Sequence, residues 1–468
     1  MLERLFRLAE NRTDARTEVL AGLSTFLTMA YIAFVNPAIL SAAGIPFAGA
    51  MTATCLAAAI STLVMALATN YPIALAPGMG LNAFLAFGIV LGMGLPWQVG
   101  MAMIFVEGVI ILLLVLTGLR EAVMHAIPLT LKRAIGAGIG IFIALIGLNE
   151  GGIIRPAPVT LMGAGDFTQP HVLLALFGIV AIAVLLSWRV RGGLLLGLLA
   201  TAALAWAAGL SQWPGRLVQP LDLSTVGAIL GADANGPYLA QALRLGLWTT
   251  IFAFMMTDFF DTMGTVIAVG EQAGFAKDGQ LPRLRRVLVA DSLAASIGGF
   301  FGASSATCYI ESASGVAAGG RTGLTTAVTA GCFLLAAFFA PLAGMVGGGC
   351  AIPNAEQYAQ FAGFGVPGGS HYVHPVTAGA LVVVGFLMMQ VVRDIPFTDF
   401  EEDFPAFLVI IGIPLTYSIS SGIGLGFIAH VVIKAVRGRA RDVHPLLWLI
   451  AAAFAANFVL PWIDTLRD

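Results

Sequence analysis

ALAPGMGLNAFLAFG (74–88) sets Pro77, Gly78 and Gly80 in the middle of an apolar run. The run lies within 73–93, a segment long enough to cross a bilayer. Hydrocarbon offers no water to an interrupted backbone, so helix breakers at that depth are tolerated only where the chain lines a protein-enclosed cavity. A second stretch, SSATCYIESASGVAAGGRTG (304–323), has Ser, Thr and Gly throughout and carries Glu311. Interrupted spans in corresponding positions of two halves are the sequence mark of a transporter site.

The rest of the chain supplies the membrane setting. Of 468 residues, 59% are hydrophobic and 10% charged, with mean hydropathy +0.93; a soluble chain carries about 25% charged residues. Apolar runs of bilayer length recur from end to end. The predicted spans are 18–40, 50–69, 73–93, 98–118, 132–148, 171–188, 193–210, 245–270, 286–303, 306–319, 324–345, 375–392, 404–417 and 421–436. The fold class is therefore an all-α polytopic membrane protein of fourteen transmembrane segments. A further apolar stretch, 445–462, reads as an extra span or a surface helix. The charged N-terminus, MLERLFRLAENRTDARTEV, reads as an interfacial helix rather than a cleavable signal, because the apolar run after it is too long.

Basic residues orient the spans. Arg4, Arg7, Arg12 and Arg16, then Arg120, Lys132 and Arg133, Arg189 and Arg191, Lys277, Arg283, Arg285 and Arg286, and Lys434, Arg437, Arg439 and Arg441 all fall on one side if the N-terminus is cytoplasmic. The opposite loops, 149–170, 211–240 and 346–373, are longer and poorer in Lys and Arg. The broken spans are the third and the tenth. A separation of seven implies two seven-span repeats, and an odd repeat length inverts the second copy.

Polar residues inside the spans carry the chemistry. On a helix, Asp258, Asp261, Thr262 and Thr265 form one stripe at i, i+3, i+4 and i+7. A carboxylate at a helix centre costs roughly 2.5–3.5 kcal/mol on insertion scales. Desolvation and like charge both oppose ionisation, so a member of such a set can exchange a proton near neutral pH. The alternative is a packing role, with each acid bonded to a hydroxyl or backbone N–H of a neighbouring helix. Asp258 is the better ligand candidate; Asp261 serves a ligand or fixes a neighbour. Glu311 lies where an unwound segment exposes backbone groups, with Ser312 beside it as N-cap of a following half-helix, whose positive end favours a carboxylate or an electron-rich ligand edge. The Asn82 amide, after the first break, suits a heterocycle with mixed edges or caps its own helix. Glu107 and Asp291 read as inter-helix bonds. Arg321 marks the cytoplasmic end of the tenth span. The cysteines Cys55, Cys308, Cys332 and Cys350 read as small buried residues, and the six histidines lack metal-ligand spacing. No metal, cofactor or nucleic-acid partner is expected at net charge −2.

The stretches TFLTMAYIAFVNPAIL (25–40), LAPGMGLNAF (75–84), TDFFDTMGT (257–265), ADSLAASIGGFFGASSATCYIESASGVAAGGRTGL (290–324) and PAFLVIIGIPLTYSISSGIGLGF (405–427) resemble the nucleobase–cation symporters. Within them the chain is similar to the adenine–guanine–hypoxanthine, azaguanine-type permease branch. The resemblance covers nearly the whole chain, and Y-I-E-S-x-x-G-V-x-x-G-G-R-T-G is its most specific part. It implies two inverted seven-span repeats and a core domain of 1–118 (spans 1–4) and 241–346 (spans 8–11). The gate domain is then 119–240 (spans 5–7) and 347–468 (spans 12–14 with the C-terminal segment). Each broken span would carry a short strand. Substrate would be held by Asp258 and Glu311, with Ala83, Phe84, Tyr309 and Ile310 supplying backbone bonds or stacking, and Asn82, Thr262 and Ser312 beside them. Glu311, Asp258 and Asp261 would couple a proton. The resemblance further implies a homodimer through the gate domain, in the plasma membrane; the Ala- and Gly-rich composition points to a bacterial inner membrane. The uracil and xanthine branches have Glu where this chain has Asp258, as the purine branch does.

Other classes fit worse. A same-fold anion carrier wants a cation at the breaks, not Glu311. An intramembrane aspartyl protease needs Tyr-Asp facing Gly-x-Gly-Asp; GAGD (163–166) lies in a loop and no Tyr-Asp exists, so no enzyme is expected. A channel filter needs a ring of equivalent carbonyls, which two unlike broken spans do not make.

Overall fold

The computed structural model describes residues 2–119, 126–157, 161–190, 192–275, 281–347, 350–351 and 372–465. Arg120, Arg191, Lys277 and most of the 346–373 loop lie outside the described residues. Among the described residues, nine helices are long and apolar enough to cross a membrane. Five expected spans are not among them, for physical reasons. Segments 73–93 and 306–319 are interrupted by strands. The helices Gly193–Ala207 and Phe400–Thr416 have 15 and 17 residues. Leu284–Phe301 carries Arg285, Arg286 and Asp291.

The helices pack in two groups. In one, Trp97–Thr117 and Phe47–Thr69 pack on Leu284–Phe301, while Phe47–Thr69 and Ala15–Met29 pack on Gly323–Ala336. In the other, Leu129–Glu150 packs on Pro375–Met389 and Phe400–Thr416; Pro170–Ser187 joins Gly193–Ala207 to Pro375–Met389; and Ile419–Val436 pairs with Phe400–Thr416. Small residues allow the close crossings. A Cβ on Gly140 would lie 2.5 Å from Met389 N, and one on Gly385 would lie 2.6 Å from Ala144 N. The helix Trp248–Gln272 touches both groups.

Several expectations need correction. The charged N-terminus is not one interfacial helix. Before the first span, Leu2–Phe6 is helical, Phe6 and Leu8 pack on Leu324, and Asp14 opens the span helix Ala15–Met29 by accepting from Arg16 N (2.8 Å) and Thr17 N (3.0 Å). Cys55 and Cys308 are buried but Cys332 only half so; the Cys350 side chain lies outside the described residues. The 445–462 stretch lies in a helix, Pro445–Thr465. Its buried Phe454 ring sits edge-on to Phe427 (6.2 Å) and Phe252 (6.0 Å), so this helix packs on the last hairpin and on the aspartate helix. Loop hairpins such as Ile154–Ala157 with Leu161–Ala164 are not signalled by helical periodicity.

Candidate functional site

The two breaks meet. Leu75–Pro77 and Ala306–Cys308 form a two-stranded antiparallel ladder in the register Leu75↔Cys308, Ala76↔Thr307 and Pro77↔Ala306. Bonds beyond the ladder extend it: Gly78 N donates to Ser305 O at 2.8 Å and Tyr309 N to Ala74 O at 3.0 Å. The Thr62 hydroxyl covers Leu75, accepting from its N–H (2.9 Å) and donating to its carbonyl (2.8 Å). Backbone that a helix would have satisfied is thus satisfied by strand pairing and side chains, as a dry interior demands. Ser304 enters the strand at φ 74°, a left-handed conformation that costs a non-glycine residue about 1–2 kcal/mol.

Each strand runs into a short helix, Met79–Ala83 and Ser312–Ala317. The first continues as a π-helix, Phe84–Leu91, a geometry common at functional sites. Phe84 is buried, with its ring 4.7 Å from that of Phe254. Ala83 is buried beside it. Asn82 is wholly buried and neither end of its amide meets a hydrogen-bond partner among the described residues. It therefore does not cap its own helix. Ser312 does not cap its helix either: its hydroxyl accepts from Ala74 N across the break at 2.9 Å. Tyr309 donates to Pro77 O at 2.6 Å.

Two of the acids, Asp261 and Glu311, lie at this junction. Asp258 is fully buried on Trp248–Gln272. Asp261, one turn on, is half-buried, and a Cβ on Gly78 would lie 3.8 Å from its Oδ2. Glu311 is also half-buried, and Ile310 is 50% exposed. Access to the expected site residues is therefore greatest at Asp261, Ile310 and Glu311. Thr262 is buried and its hydroxyl is engaged by protein groups. Its hydroxyl donates to the Asp291 carboxylate, 2.8 Å from either oxygen, and lies 2.7 Å from Thr307 Oγ1. Asp291 makes the inter-helix bond expected of it. Glu107 does not: it is buried and its oxygens meet no donor among the described residues. No cluster of three or more His, Cys, Asp or Glu among the described residues is arranged to hold a metal ion.

The first span contributes what patterning does not signal. It breaks at Ala30–Tyr31, between Ala15–Met29 and Ile32–Ala42, where bonds shorten to Ala33 N→Ala30 O (3.1 Å) and Phe34 N→Tyr31 O (3.0 Å). Tyr31 then donates to Glu311 Oε1 at 2.7 Å. One turn earlier, Thr28 Oγ1 lies 2.8 Å from Ser314 Oγ, which donates to Ser24 O at 3.2 Å. At the far end of the seam, Glu18 accepts from Arg321 N (2.8 Å), Thr322 N (3.3 Å) and Oγ1 (2.8 Å), and Thr325 N (3.1 Å) and Oγ1 (2.6 Å). Proline spacing gives a weak signal for the first-span break: Pro37, one turn on, lacks the N–H that would bond Ala33 O.

Two carboxylates outside the long spans are held by bonds nearby. At the end of the last hairpin, Glu401 accepts from Arg437 Nε (2.8 Å) and Arg439 Nη1 (3.1 Å), and the Arg437 bond holds its carboxyl below the usual range. Asp166, in the loop before Pro170–Ser187, is held down to about 2, first by the Thr168 hydroxyl and then by the Gln169 amide.

A model of the Permease family (Xan_ur_permease) matches residues 16–351. The guanine/hypoxanthine permease PbuO of Bacillus subtilis (strain 168) is 42% identical over 454 residues, covering 96% of this chain and 98% of that protein. The adenine permease AdeP of Escherichia coli (strain K12) is 42% identical over 460 residues, covering 98% and 96%. Among solved structures, the transmembrane domain of the cyanobacterial bicarbonate transporter BicA matches with a TM-score of 0.59 at 16% identity, over 87% of this chain and 97% of that one. That likeness concerns the fold.

Proposed function

The chain belongs to this Permease family and is a multi-pass membrane transporter, and on that premise we propose that it imports purine nucleobases by proton symport. The observation that carries the reading is the approach of Glu311 and Asp261 to two paired, interrupted spans, with Asp258 one turn before Asp261 on the same helix, in a chain whose full-length relatives include adenine and guanine/hypoxanthine permeases. A neutral purine presents ring N–H groups and, in adenine and guanine, an exocyclic amine. These donate to Glu311 and to the carboxylates of the aspartate helix. The Asn82 amide, with capacity both to donate and to accept, takes the mixed edge of the ring. Ala83, Phe84, Tyr309 and Ile310 complete the lining, by backbone bonds or by stacking on the ring. One carboxylate takes a proton with the substrate, so that a less charged site crosses the membrane.

The two helix packing groups serve as core and gate, related as inverted seven-span repeats, with fourteen spans and the N-terminus cytoplasmic. The core moves against the gate to alternate access, and the gate is the dimer contact. Uptake of radiolabelled hypoxanthine at pH 6 and pH 8, in cells lacking their own purine permeases, tests this. Uptake faster at pH 6, stopped by a protonophore and competed by unlabelled adenine or guanine, is the expected result. Competition only by uracil or xanthine moves the chain to another branch of the same fold. No nucleobase uptake by well-inserted protein rejects the reading.

A further inference from the structure

We propose that Tyr31 is the positioning residue that sets which face of the Glu311 carboxylate a substrate meets. The inference rests on reading Glu311 as a substrate ligand and adds to it a determinant from a third span. Tyr31 is 2% exposed and stands at the break of the first span. Its hydroxyl engages Glu311 Oε1 at 2.7 Å. A carboxylate that gives one oxygen to a buried donor keeps the other, Oε2, for a ligand N–H, and loses the freedom to rotate. The backbone beneath is fixed as well, through the Thr28–Ser314 and Ser314–Ser24 contacts along the same face of the first span. Of these contacts, Tyr31 is the one that reaches the carboxylate. Tyr31 stands three residues after Thr28 and seven after Ser24, and the backbone stays right-handed helical through Ala30 and Tyr31, so the phenol continues their stripe and extends it to the carboxylate.

A structural tyrosine and a positioning tyrosine differ in what their loss changes. In Tyr31→Phe the ring stays and the hydrogen bond goes. The expected result is a KM for the nucleobase raised about tenfold, as for loss of one charge-assisted hydrogen bond, with maximal rate within about twofold and melting temperature in detergent unchanged. Glu311→Asp pulls the carboxylate back by one methylene from Tyr31. It should raise KM similarly, and adding Tyr31→Phe to it should change KM less than about twofold. Labelling of Glu311 by dicyclohexylcarbodiimide, read by peptide mass spectrometry, needs no substrate and should be several-fold faster in Tyr31→Phe. An unchanged KM, a fall in melting temperature alone, or full additivity with Glu311→Asp overturns the proposal. If the wild type transports no nucleobase, the substrate reading fails; labelling still decides the Tyr31–Glu311 contact, and equal rates in wild type and Tyr31→Phe overturn it.

Discussion

Glu18 and Glu311 lie on one seam, where the first span packs on the chain between residues 311 and 325, and their surroundings are opposite. Glu18 is wholly buried and accepts from five donors at the turn into Gly323–Ala336. Glu311 is half-buried and, among the described residues, the side chain that donates to its carboxylate is Tyr31. A carboxylate saturated by its own protein has nothing left to offer a ligand, and removing it strands the donors it satisfied. A carboxylate held at one oxygen is oriented and still available. The same residue type is thus a fastener at one end of the seam and a ligand candidate at the middle, and hydrogen-bond count separates the two roles.

That contrast can be broken by experiment. Glu311→Gln keeps the shape of the side chain, and uptake should fall at least 100-fold while melting in detergent moves by no more than a few degrees; full proton-coupled uptake by this variant would remove Glu311 from the site. Glu18→Ala should do the reverse. Stranding its donors should cost about 3 kcal/mol or more, seen as a lowered melting temperature and poor yield, with KM unchanged in the protein that does fold. Equal stability would make Glu18 dispensable as a fastener. Thr262→Val removes the bond that ties the aspartate helix to Asp291 and leaves the accessible acids in place; about a tenfold loss of uptake is expected, with a modest loss of stability, and an unaltered rate would show that the tie is not needed for transport. The smallest effect lies outside the membrane. Asp166 has a carboxyl held down to about 2 against an ordinary 3.8, so its bonds stabilise the loop above the ordinary value, and that contribution is lost as pH falls through about 2. Limited proteolysis between pH 5 and pH 2 should find Asp166→Asn less pH-dependent than wild type; parallel profiles would deny the loop this role.

The breaks at Pro77–Gly78 and at 304–311 were legible because Gly, Pro and Ser are conspicuous in apolar runs. Their pairing was not. Three-residue strands are too short to show alternation, and only the family resemblance implied them. Glu311 was legible as an expensive charge beside a break. Tyr31 and Glu18 were not, for different reasons. TMAYI carries no Gly or Pro at the break itself, so the first span reads as continuous. Glu18 stands at the end of a charged segment, where an acid looks solvated; its donors are some three hundred residues away. Ser312 and Asn82 show a further limit. Both have the chemistry of helix caps and stand near helix starts, yet the adjoining break draws the Ser312 hydroxyl onto another segment and leaves the Asn82 amide buried without a partner among the described residues. Local preference lost to tertiary geometry where the two interrupted spans pair.

The crossed strands also bear on how the protein is made. Pro77 and Ala306 are roughly 230 residues apart in the chain, so closing that loop is slow and entropically costly. When the first half leaves the ribosome, Leu75–Pro77 has no partner, and each bare amide or carbonyl in hydrocarbon costs several kcal/mol. The nascent half must keep that segment near water, inside the insertion machinery or against a chaperone, until the second half arrives. Biogenesis of this carrier is thus expected to depend on a membrane chaperone more than its hydropathy alone suggests, and a chain truncated after the helix Gly193–Ala207 should be cleared rather than stored.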